Sequence, residues 1–220
     1  GRPGSIPLLL WPQSWNFPAE PSQRKDLVVM VNSCKWSFME GQMYWLRNTL
    51  ASTDARVHVF GNYWERHSLK RLAHLVFELF RESVSGSKIS PKHLSVSLSR
   101  PLNNFGPVLL KLETMAQYKV ALVIENSREL MTEKLFDAFF AGCVPVYVGP
   151  NPADFGIPDG LAFQASPHAV SVSVCIEKAL AIDYERWRRE VANFLTNPKV
   201  FDQWDSSSAF SRILEAATKT

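Results

Sequence analysis

The stretch that decides the fold is YKVALVIENSRELMTEKLFDAFFAGCVPVYVG, residues 118–149. It opens with an apolar run, Val120 to Ile124, whose length and β-branched content are typical of a strand buried on both faces. After a polar segment, apolar residues three to four apart predict a helix from Thr132 to Ala141. Val144 to Val148 predicts a second buried strand. Strand, helix and strand in this order predict a βαβ unit with a right-handed crossover.

The polar residues of this stretch cluster where the first strand gives way to the helix. In an open parallel sheet this position lies at the carboxyl ends of the strands, where ligands usually bind. Thr132, Glu133 and Lys134 open the predicted helix, so backbone N–H groups and the positive end of the helix dipole lie beside a lysine. That combination suits an anion such as a phosphate or a diphosphate. The alternative is that Glu133 and Lys134 are ordinary first-turn residues on a solvated helix.

A second βαβ unit is predicted earlier in the chain. Residues 26–32, DLVVMVN, predict a buried strand, and apolar residues at helical spacing then predict a helix that ends near Ser52. Residues 55–60 predict the next strand. Residues 1–25 are rich in Pro, Ser and Trp and are interpreted as a connector, so one folded domain is predicted over residues 26–220.

Further elements are predicted on either side of the central stretch. Residues 161–163 are a candidate short strand, and Ser166-Pro167 predicts the N-cap and first turn of a helix that reaches Ala181. Asp183 is predicted to start another helix, which Asn197-Pro198 ends. Amphipathic patterns also predict helices over residues 65–82 and 207–217.

Composition and motif content exclude several classes of protein. The formal net charge of +3 gives no argument for nucleic-acid binding. The apolar segment Ile6 to Trp11 is far too short to span a membrane. The three cysteines give no disulfide framework and no CxxC spacing, the histidines form no HExxH pattern, and Cys143 between apolar residues favours a buried thiol. Because the sequence starts at Gly1 and has no signal-like region, we expect a fragment or an excised domain.

The order of motifs in the central stretch closely resembles the donor-binding signature of the α-1,3-fucosyltransferase family. The family pattern is an aromatic-Lys pair, Glu-Asn-Ser, Thr-Glu-Lys, Asp-Ala, and Gly-x-Val-Pro-Val with a later Gly. This chain matches the pattern at Tyr118-Lys119, Glu125-Asn126-Ser127, Thr132-Glu133-Lys134, Asp137-Ala138, Gly142, Val144-Pro145-Val146 and Gly149. A looser resemblance covers residues 26–195. So many ordered matches are far more specific than a single glycine motif.

The resemblance implies a Rossmann-like parallel α/β sheet with flanking helices, which forms one half of a GT-B type glycosyltransferase. It implies an inverting transfer of fucose from GDP-fucose to a hydroxyl of an N-acetylglucosamine or glucose unit of a glycan. This chain would supply the donor-binding domain, with no cofactor and no essential metal. A membrane anchor, if any, would lie outside the chain. The resemblance implies the lumenal face of the Golgi membrane for a eukaryotic protein, and the cytoplasm or the membrane periphery for a bacterial one.

The resemblance also assigns roles to residues. It implies that Glu133 and Lys134 are the catalytic pair. Lys134 would pair with the diphosphate and stabilise the negative charge of departing GDP, while Glu133 would contact the ribose or fucose. The implied donor-binding set is Lys35, Tyr44, Glu125, Asn126, Ser127, Thr132, Glu133 and Lys134. For Glu125 a plain strand-cap role is an equal alternative to shaping the pocket.

Two departures from the family pattern keep a second function open. Glu40 stands where the family usually has an arginine that binds diphosphate. Either the local alignment slips, or Lys35 or Arg47 takes the place of that arginine, or donor binding is weak. Leu130 stands where a tyrosine often precedes the threonine. The alternatives are a nucleotide-sugar-binding module, or inactive relative, without the acceptor domain, and a different glycosyltransferase that shares the donor fold.

Overall fold

The structure is a computed structural model, and it describes residues 23–33, 41–62, 64 and 100–200. The predicted helices over residues 65–82 and 207–217, and residues 1–22 of the predicted connector, lie outside these ranges. The described elements, in chain order, are β1 (Lys25–Val31), α1 (Gly41–Thr53), β2 (Val57–Phe60), β3 (Asn103–Asn104), α2 (Lys111–Ala116), β4 (Tyr118–Ile124), α3 (Lys134–Phe140), β5 (Val144–Val148), a 3₁₀ helix (Pro152–Phe155), β6 (Phe163–Gln164), α4 (Ala169–Leu180) and α5 (Tyr184–Leu195).

The described strands form one sheet in the order β3-β2-β1-β4-β5-β6. Every neighbouring pair is parallel. The four central strands are rich in Val, Ile and Leu and are mostly buried, as expected for a parallel sheet that is covered on both faces. The prediction of a parallel α/β sheet is therefore confirmed.

The strand order creates a switch point between β1 and β4. From β1 the chain moves outward through α1 to β2, whereas from β4 it moves outward in the other direction through α3 to β5. Right-handed crossovers in opposite directions place α1 and α3 on opposite faces of the sheet. The contacts agree, because α4 packs against α1, and α2 packs against α3. In sheets of this kind, ligands bind outside the carboxyl ends of the strands at the switch point.

An aromatic cluster fixes α5 on the face that carries α3. Phe136 and Phe139 of α3 lie with ring centroids 6.3 and 6.1 Å from that of Phe194. Trp187 is also buried, and its indole N–H donates to the carbonyl oxygen of Leu161 at 3.0 Å. The apolar periodicity that predicted α5 therefore corresponds to the face that enters the core.

Some predicted boundaries are confirmed and others are wrong. Asp183 caps α5 as predicted, since its carboxylate accepts from the backbone N–H of Arg186 at 3.1 Å. The predicted cap at Ser166 is wrong: His168 is the N-cap of α4, and Ser166 and Pro167 precede the helix. The sequence also gave no sign of β3, because two asparagines at the edge of a sheet carry no apolar alternation.

The chain joins the fold slightly before the predicted start of the domain. Arg24, in the predicted connector, donates through Nη1 to the carbonyl oxygens of Tyr118 at 3.0 Å and Ala141 at 2.9 Å. Lys25 opens β1, and its backbone N–H donates to the carbonyl oxygen of Gln117. The residues just before position 26 are therefore part of the sheet's amino edge.

The helices of the described ranges are short. The longest in the described ranges is α1, with 13 residues. In the part of the chain that the structure describes, no helix meets the length and apolarity of a membrane span.

Candidate functional site

The candidate site is the carboxyl edge of the sheet at the switch point, which we call the mouth. It consists of Asn32 and Ser33 after β1, the β4–α3 loop (residues 125–133) with Lys134, and Gly149 after β5. Backbone hydrogen bonds connect the ends of neighbouring strands at this edge. The N–H of Asn32 donates to Phe60 O, and that of Glu125 donates to Val148 O, both at 2.9 Å. The predicted clustering of polar residues beyond the end of β4 is thus found at the switch point.

Glu125 lies completely buried at the centre of the mouth, with 0% of its surface exposed. Its Oε1 accepts from the backbone N–H of Thr132 at 2.9 Å, and its Oε2 accepts from Thr132 Oγ1 at 2.8 Å. Oε2 also accepts from Lys134 Nζ at 2.9 Å. A buried carboxylate is stable when charged and polar donors surround it in this way. Glu125 therefore binds the two ends of its own loop together, and we call Glu125, Thr132 and Lys134 the Glu125 clamp.

The Glu125 clamp corrects one detail of the sequence prediction. The first turn of α3 begins at Lys134, two residues later than predicted. The backbone N–H of Thr132, predicted to face an external anion, donates to Glu125 instead. The negative charge next to this N–H group is therefore the carboxylate of Glu125, at the end of β4.

Lys134 is held at the mouth with donor capacity remaining. Its side chain is 16% exposed, and Nζ donates to Glu125 Oε2 and to Thr132 Oγ1, both at 2.9 Å. An ammonium group has three N–H donors. Two of the three have these partners, so one N–H remains for an anion that enters the mouth.

Asn126 is tied to the other half of the sheet by Arg47 of α1. Arg47 Nη2 lies 2.7 Å from Asn126 Oδ1, and it also lies 2.7 Å from Ile124 O and 3.0 Å from Glu125 O. Because a guanidinium only donates, the carbonyl oxygen of the Asn126 amide must face Arg47. Arg47 is buried with 3% exposure and brings a second positive charge to the end of β4.

The other predicted site residues of the loop, and Leu130, differ in exposure. Ser127 is buried, and its Oγ accepts from the backbone N–H of Glu129 at 3.1 Å. Glu133 is half-buried at the N-cap position of α3, and its side chain makes no capping hydrogen bond. Leu130 exposes 40% of its surface, so an aliphatic side chain faces solvent where the family pattern often has a tyrosine.

The assignment of Tyr44 and Lys35, the other two residues of the predicted donor-binding set, stays a prediction. Tyr44 is buried in the core, with 6% exposure, and its ring packs edge-on against that of Trp45 at 5.4 Å. Lys35 lies outside the described residues, and so does Glu40. The described members of the predicted set that meet at the mouth are Glu125, Asn126, Ser127, Thr132, Glu133 and Lys134.

Tyr147 of β5 was not predicted as a site residue, although it lies beside the Glu125 clamp. A β-carbon added to Gly149 would stand 2.5 Å from Tyr147 Oη and 2.8 Å from Glu125 Cγ, which explains why glycine is required there. Tyr147 is 0% exposed, and its hydroxyl has no hydrogen-bond partner. Burial, and secondarily the negative charge of Glu125, raise the pKa of this hydroxyl well above its usual range. A tyrosine within the aliphatic strand VPVYV was the available signal.

Asp137 of the matched Asp-Ala pair has a structural contact. It is buried, with 6% exposure, and forms an ion pair with Lys111 of α2. Burial raises the pKa of the Asp137 carboxyl, and the positive charge of Lys111 partly offsets that rise. Asp137 thus holds α2 against α3 behind the mouth. Cys143 is fully buried, as its sequence context predicted.

Metal ligands do not cluster in the described ranges. Among these residues no group of three or more His, Cys, Asp or Glu side chains could hold a metal ion. The expectation that no metal is essential remains a prediction, because part of the chain lies outside these ranges.

Comparison with known proteins gives similarity to α-1,3-fucosyltransferases, and no family model matches the chain. The chain is 35% identical over 124 residues to α-(1,3)-fucosyltransferase 4 of Mus musculus, which is 48% of this chain and 28% of that protein. Its identity to the Rattus norvegicus and Homo sapiens proteins of the same name is 35% and 34% over 103 residues. These matches cover 41% of this chain and 24% and 19% of those proteins. The chain therefore spans about a quarter of these relatives, and the resemblance predicted from the motifs is confirmed.

Two solved structures of trehalose-phosphate synthases share the fold of this chain. The chain superposes on a UDP-forming α,α-trehalose-phosphate synthase from Burkholderia xenovorans with a TM-score of 0.53 at 15% identity, over 88% of this chain and 44% of that one. The enzyme of the same name from Burkholderia vietnamiensis gives a TM-score of 0.52 at 15% identity, over 90% and 46%. The predicted Rossmann-like fold, a parallel sheet with flanking helices, is confirmed.

Proposed function

We propose that this chain is the donor-binding domain of a glycosyltransferase that transfers L-fucose from GDP-fucose to a hydroxyl of an N-acetylglucosamine or glucose unit, in α-1,3 linkage. The observation that carries the proposal is the mouth. A lysine with one remaining N–H, a buried arginine and a half-buried carboxylate meet at the switch point of a parallel sheet, in a chain similar to α-(1,3)-fucosyltransferase 4.

Charge decides which part of the donor faces Lys134. The diphosphate is the anionic part of a nucleotide sugar, and negative charge grows on it as the glycosidic bond breaks. The remaining N–H of Lys134 donates to a diphosphate oxygen and stabilises that growing charge. The two bonds that Lys134 makes at 2.9 Å hold the ammonium at the mouth before the donor arrives.

We assign recognition of the sugar part of the donor to Glu133 and Asn126. The Glu133 carboxylate, next to Lys134, accepts from hydroxyls of the ribose or fucose, and it stabilises positive charge at an oxocarbenium-like carbon. The Asn126 amide is oriented by Arg47, with its oxygen on the guanidinium side and its NH₂ group on the other. Ser127 and Thr132 shape the loop through their hydroxyl bonds.

Lysine, arginine and hydrogen-bond donors neutralise the leaving group in this scheme, which therefore needs no metal ion. The acceptor is a glycan. For a eukaryotic protein we place the reaction on the lumenal face of the Golgi membrane, a proposal supported by the mammalian relatives.

The proposal is tested by calorimetric titration of the chain with GDP-fucose and with GDP. We expect saturable binding of both ligands by the wild-type chain. Lys134→Ala should lose that binding, whereas Lys178→Ala, which removes an exposed lysine of α4, should keep it. Equal affinity in Lys134→Ala and wild type would overturn the assignment of the diphosphate to Lys134.

A second function, a nucleotide-sugar-binding module without transferase activity, is favoured by Leu130. An exposed aliphatic side chain offers no ring for a base or sugar to stack on, which favours weak donor recognition. The two functions are separated by incubating the chain with radiolabelled GDP-fucose and an oligosaccharide that contains N-acetylglucosamine. Labelled oligosaccharide supports the transferase, whereas saturable binding without labelled product supports the module.

A further inference from the structure

Glu125 and an anion in the mouth compete for the ammonium group of Lys134. An anion that enters the mouth attracts the ammonium of Lys134, which is already bound to Glu125 Oε2 at 2.9 Å. Glu125 has no exposed surface, so water cannot replace a lost cation there. A buried carboxylate that loses its cation is strongly destabilised unless another donor reaches it. The site needs a second donor for Glu125 if Lys134 is to turn toward a ligand.

Tyr147 is placed to be that donor. Its hydroxyl and Glu125 Cγ both lie within 3 Å of the point where a β-carbon of Gly149 would stand. The hydroxyl has no hydrogen-bond partner, although the residue is completely buried. Buried hydroxyls nearly always have a partner, so an unsatisfied one calls for a specific explanation. No other buried side-chain hydroxyl of the described residues lacks a partner in this way.

Glu125 has an acceptor position for this hydroxyl. An ionised carboxylate offers about four lone-pair positions. The Glu125 clamp uses three of them: one on Oε1, from the Thr132 N–H, and two on Oε2, from Thr132 Oγ1 and Lys134 Nζ. The remaining position is on Oε1, and a further one becomes available on Oε2 when Lys134 turns away.

We propose that Tyr147 is a positioning residue that donates its hydroxyl hydrogen bond to Glu125 when Lys134 turns toward an anionic ligand in the mouth. Lys134 and Tyr147 are alternative partners of one buried carboxylate. The exchange keeps Glu125 ionised and the β4–α3 loop closed while the ammonium serves the ligand. Its link to catalysis rests on the proposed donor site, whereas the exchange itself can be tested without any ligand.

The glycine after β5 belongs to the same arrangement. Because Gly149 has no side chain, the Tyr147 hydroxyl and Glu125 can approach each other over its Cα. Any larger residue at this position would stand between the donor and the acceptor. The matched Gly of the motif is therefore explained by the space that the exchange needs.

The test is a thermal-denaturation cycle that combines Tyr147→Phe with Lys134→Met. In the wild-type background the hydroxyl has no partner, so Tyr147→Phe should leave the melting temperature unchanged or raise it. In the Lys134→Met background Glu125 depends on Tyr147, and the same substitution should lower the melting temperature by about 3 °C. An equal change in the two backgrounds would overturn the proposal. Lys134→Gln serves as a second background if Lys134→Met fails to fold.

Tyr118→Phe is the matched control. The Tyr118 hydroxyl is also largely buried, but it already has a partner, His58 Nδ1, at 3.0 Å. Its removal should therefore change the melting temperature by the same amount whether or not Lys134 is present. A background-dependent effect at Tyr118 as large as that at Tyr147 would show that the cycle reports general destabilisation, which would remove the support for the exchange.

A titration with GDP gives the second readout. Tyr147→Phe should weaken the affinity for GDP about five-fold, because the bound state loses one hydrogen bond that the free state does not contain. Unchanged affinity, with wild type binding GDP, would contradict the exchange. If wild type fails to bind GDP, the proposed donor site is wrong. The thermal cycle alone then tests whether Lys134 and Tyr147 are alternative partners of Glu125.

Discussion

The two edges of the parallel sheet hold positive charges in different ways. At the amino edge, Arg24 donates to two backbone carbonyl oxygens, those of Tyr118 and Ala141, and its guanidinium lies 5.6 Å from the ring centroid of Tyr184. At the carboxyl edge, Lys134 is bound to the buried carboxylate of Glu125. A backbone carbonyl group is neutral, so no buried charge would be left unpaired if Arg24 moved away from it. A carboxylate can release its cation to a stronger anion when another donor is near.

The surroundings of the two edges also differ in polarity. The amino edge contains a cavity of about 230 Å³ whose lining includes Phe139, Phe140, Trp187 and Leu195. The carboxyl edge contains the polar loop, a buried arginine and the unsatisfied Tyr147 hydroxyl. The comparison assigns stability to the amino edge, whereas the proposed function assigns binding to the mouth. The predictions below separate the two contributions.

The largest effect is expected for Glu125→Ala. This variant removes the acceptor of the Glu125 clamp and should lower the free energy of unfolding by about 3 kcal/mol, the usual cost of breaking a buried ion pair. Urea denaturation measures the loss. Glu129→Ala is the matched control, because Glu129 is an exposed carboxylate of the same loop. Equal losses in the two variants would mean that the clamp contributes nothing.

Gly149→Ala should cost about 2 kcal/mol, because the new methyl group would overlap Tyr147 and Glu125. Gly160→Ala is the control. Gly160 has φ +86 with open space around it, so it should lose only about 1 kcal/mol from its backbone conformation. Denaturation of both variants gives the comparison. A smaller loss at Gly149 than at Gly160 would contradict the close packing at the mouth.

Arg24→Ala tests the amino edge. The loss of two hydrogen bonds from a charged donor should lower the free energy of unfolding by about 1.5 kcal/mol. The affinity for GDP should not change, since Arg24 lies at the opposite edge from Lys134. Titration of the folded variant with GDP measures this. A loss of affinity as large as that in Lys134→Ala would contradict the assignment of stability to the amino edge and binding to the mouth.

The smallest effect is a pH dependence from His58. Burial, and secondarily repulsion by Lys25, lower the pKa of His58 below its ordinary value of 6.5. The unfolded chain therefore binds a proton more readily than the folded one, and stability falls as the pH drops through the unfolded pKa. From about pH 8 to about pH 5, the melting temperature of wild type should fall more steeply than that of His58→Gln. Parallel curves would exclude a contribution from His58.

The sequence predicted the sheet well because its strands are aliphatic runs of the right length. Residues 120–124 and 144–148 could be recognised without knowledge of any partner, and their parallel pairing followed from the helix between them. The cluster of polar residues at the mouth followed from the same pattern. Two asparagines at the edge formed β3 without such a pattern, so β3 could not be predicted.

The contacts inside the mouth depend on residues far apart in the chain. Arg47 meets the end of β4 across 77 positions, and Tyr147 meets Glu125 from a different strand. Helical spacing could not show that Thr132 would donate to Glu125 rather than face a ligand. Side-chain partners of this kind are fixed by the strand order, which local patterns do not contain.

The most direct test of the central claim is amide hydrogen exchange of the full chain with and without saturating GDP. If the mouth is the binding site, GDP should slow exchange at the backbone N–H groups of residues 125–134 and at Asn32 and Ser33. Exchange in residues 139–142 and 184–195, at the amino edge, should not change. Protection confined to those amino-edge residues, with none in the β4–α3 loop, would contradict the account.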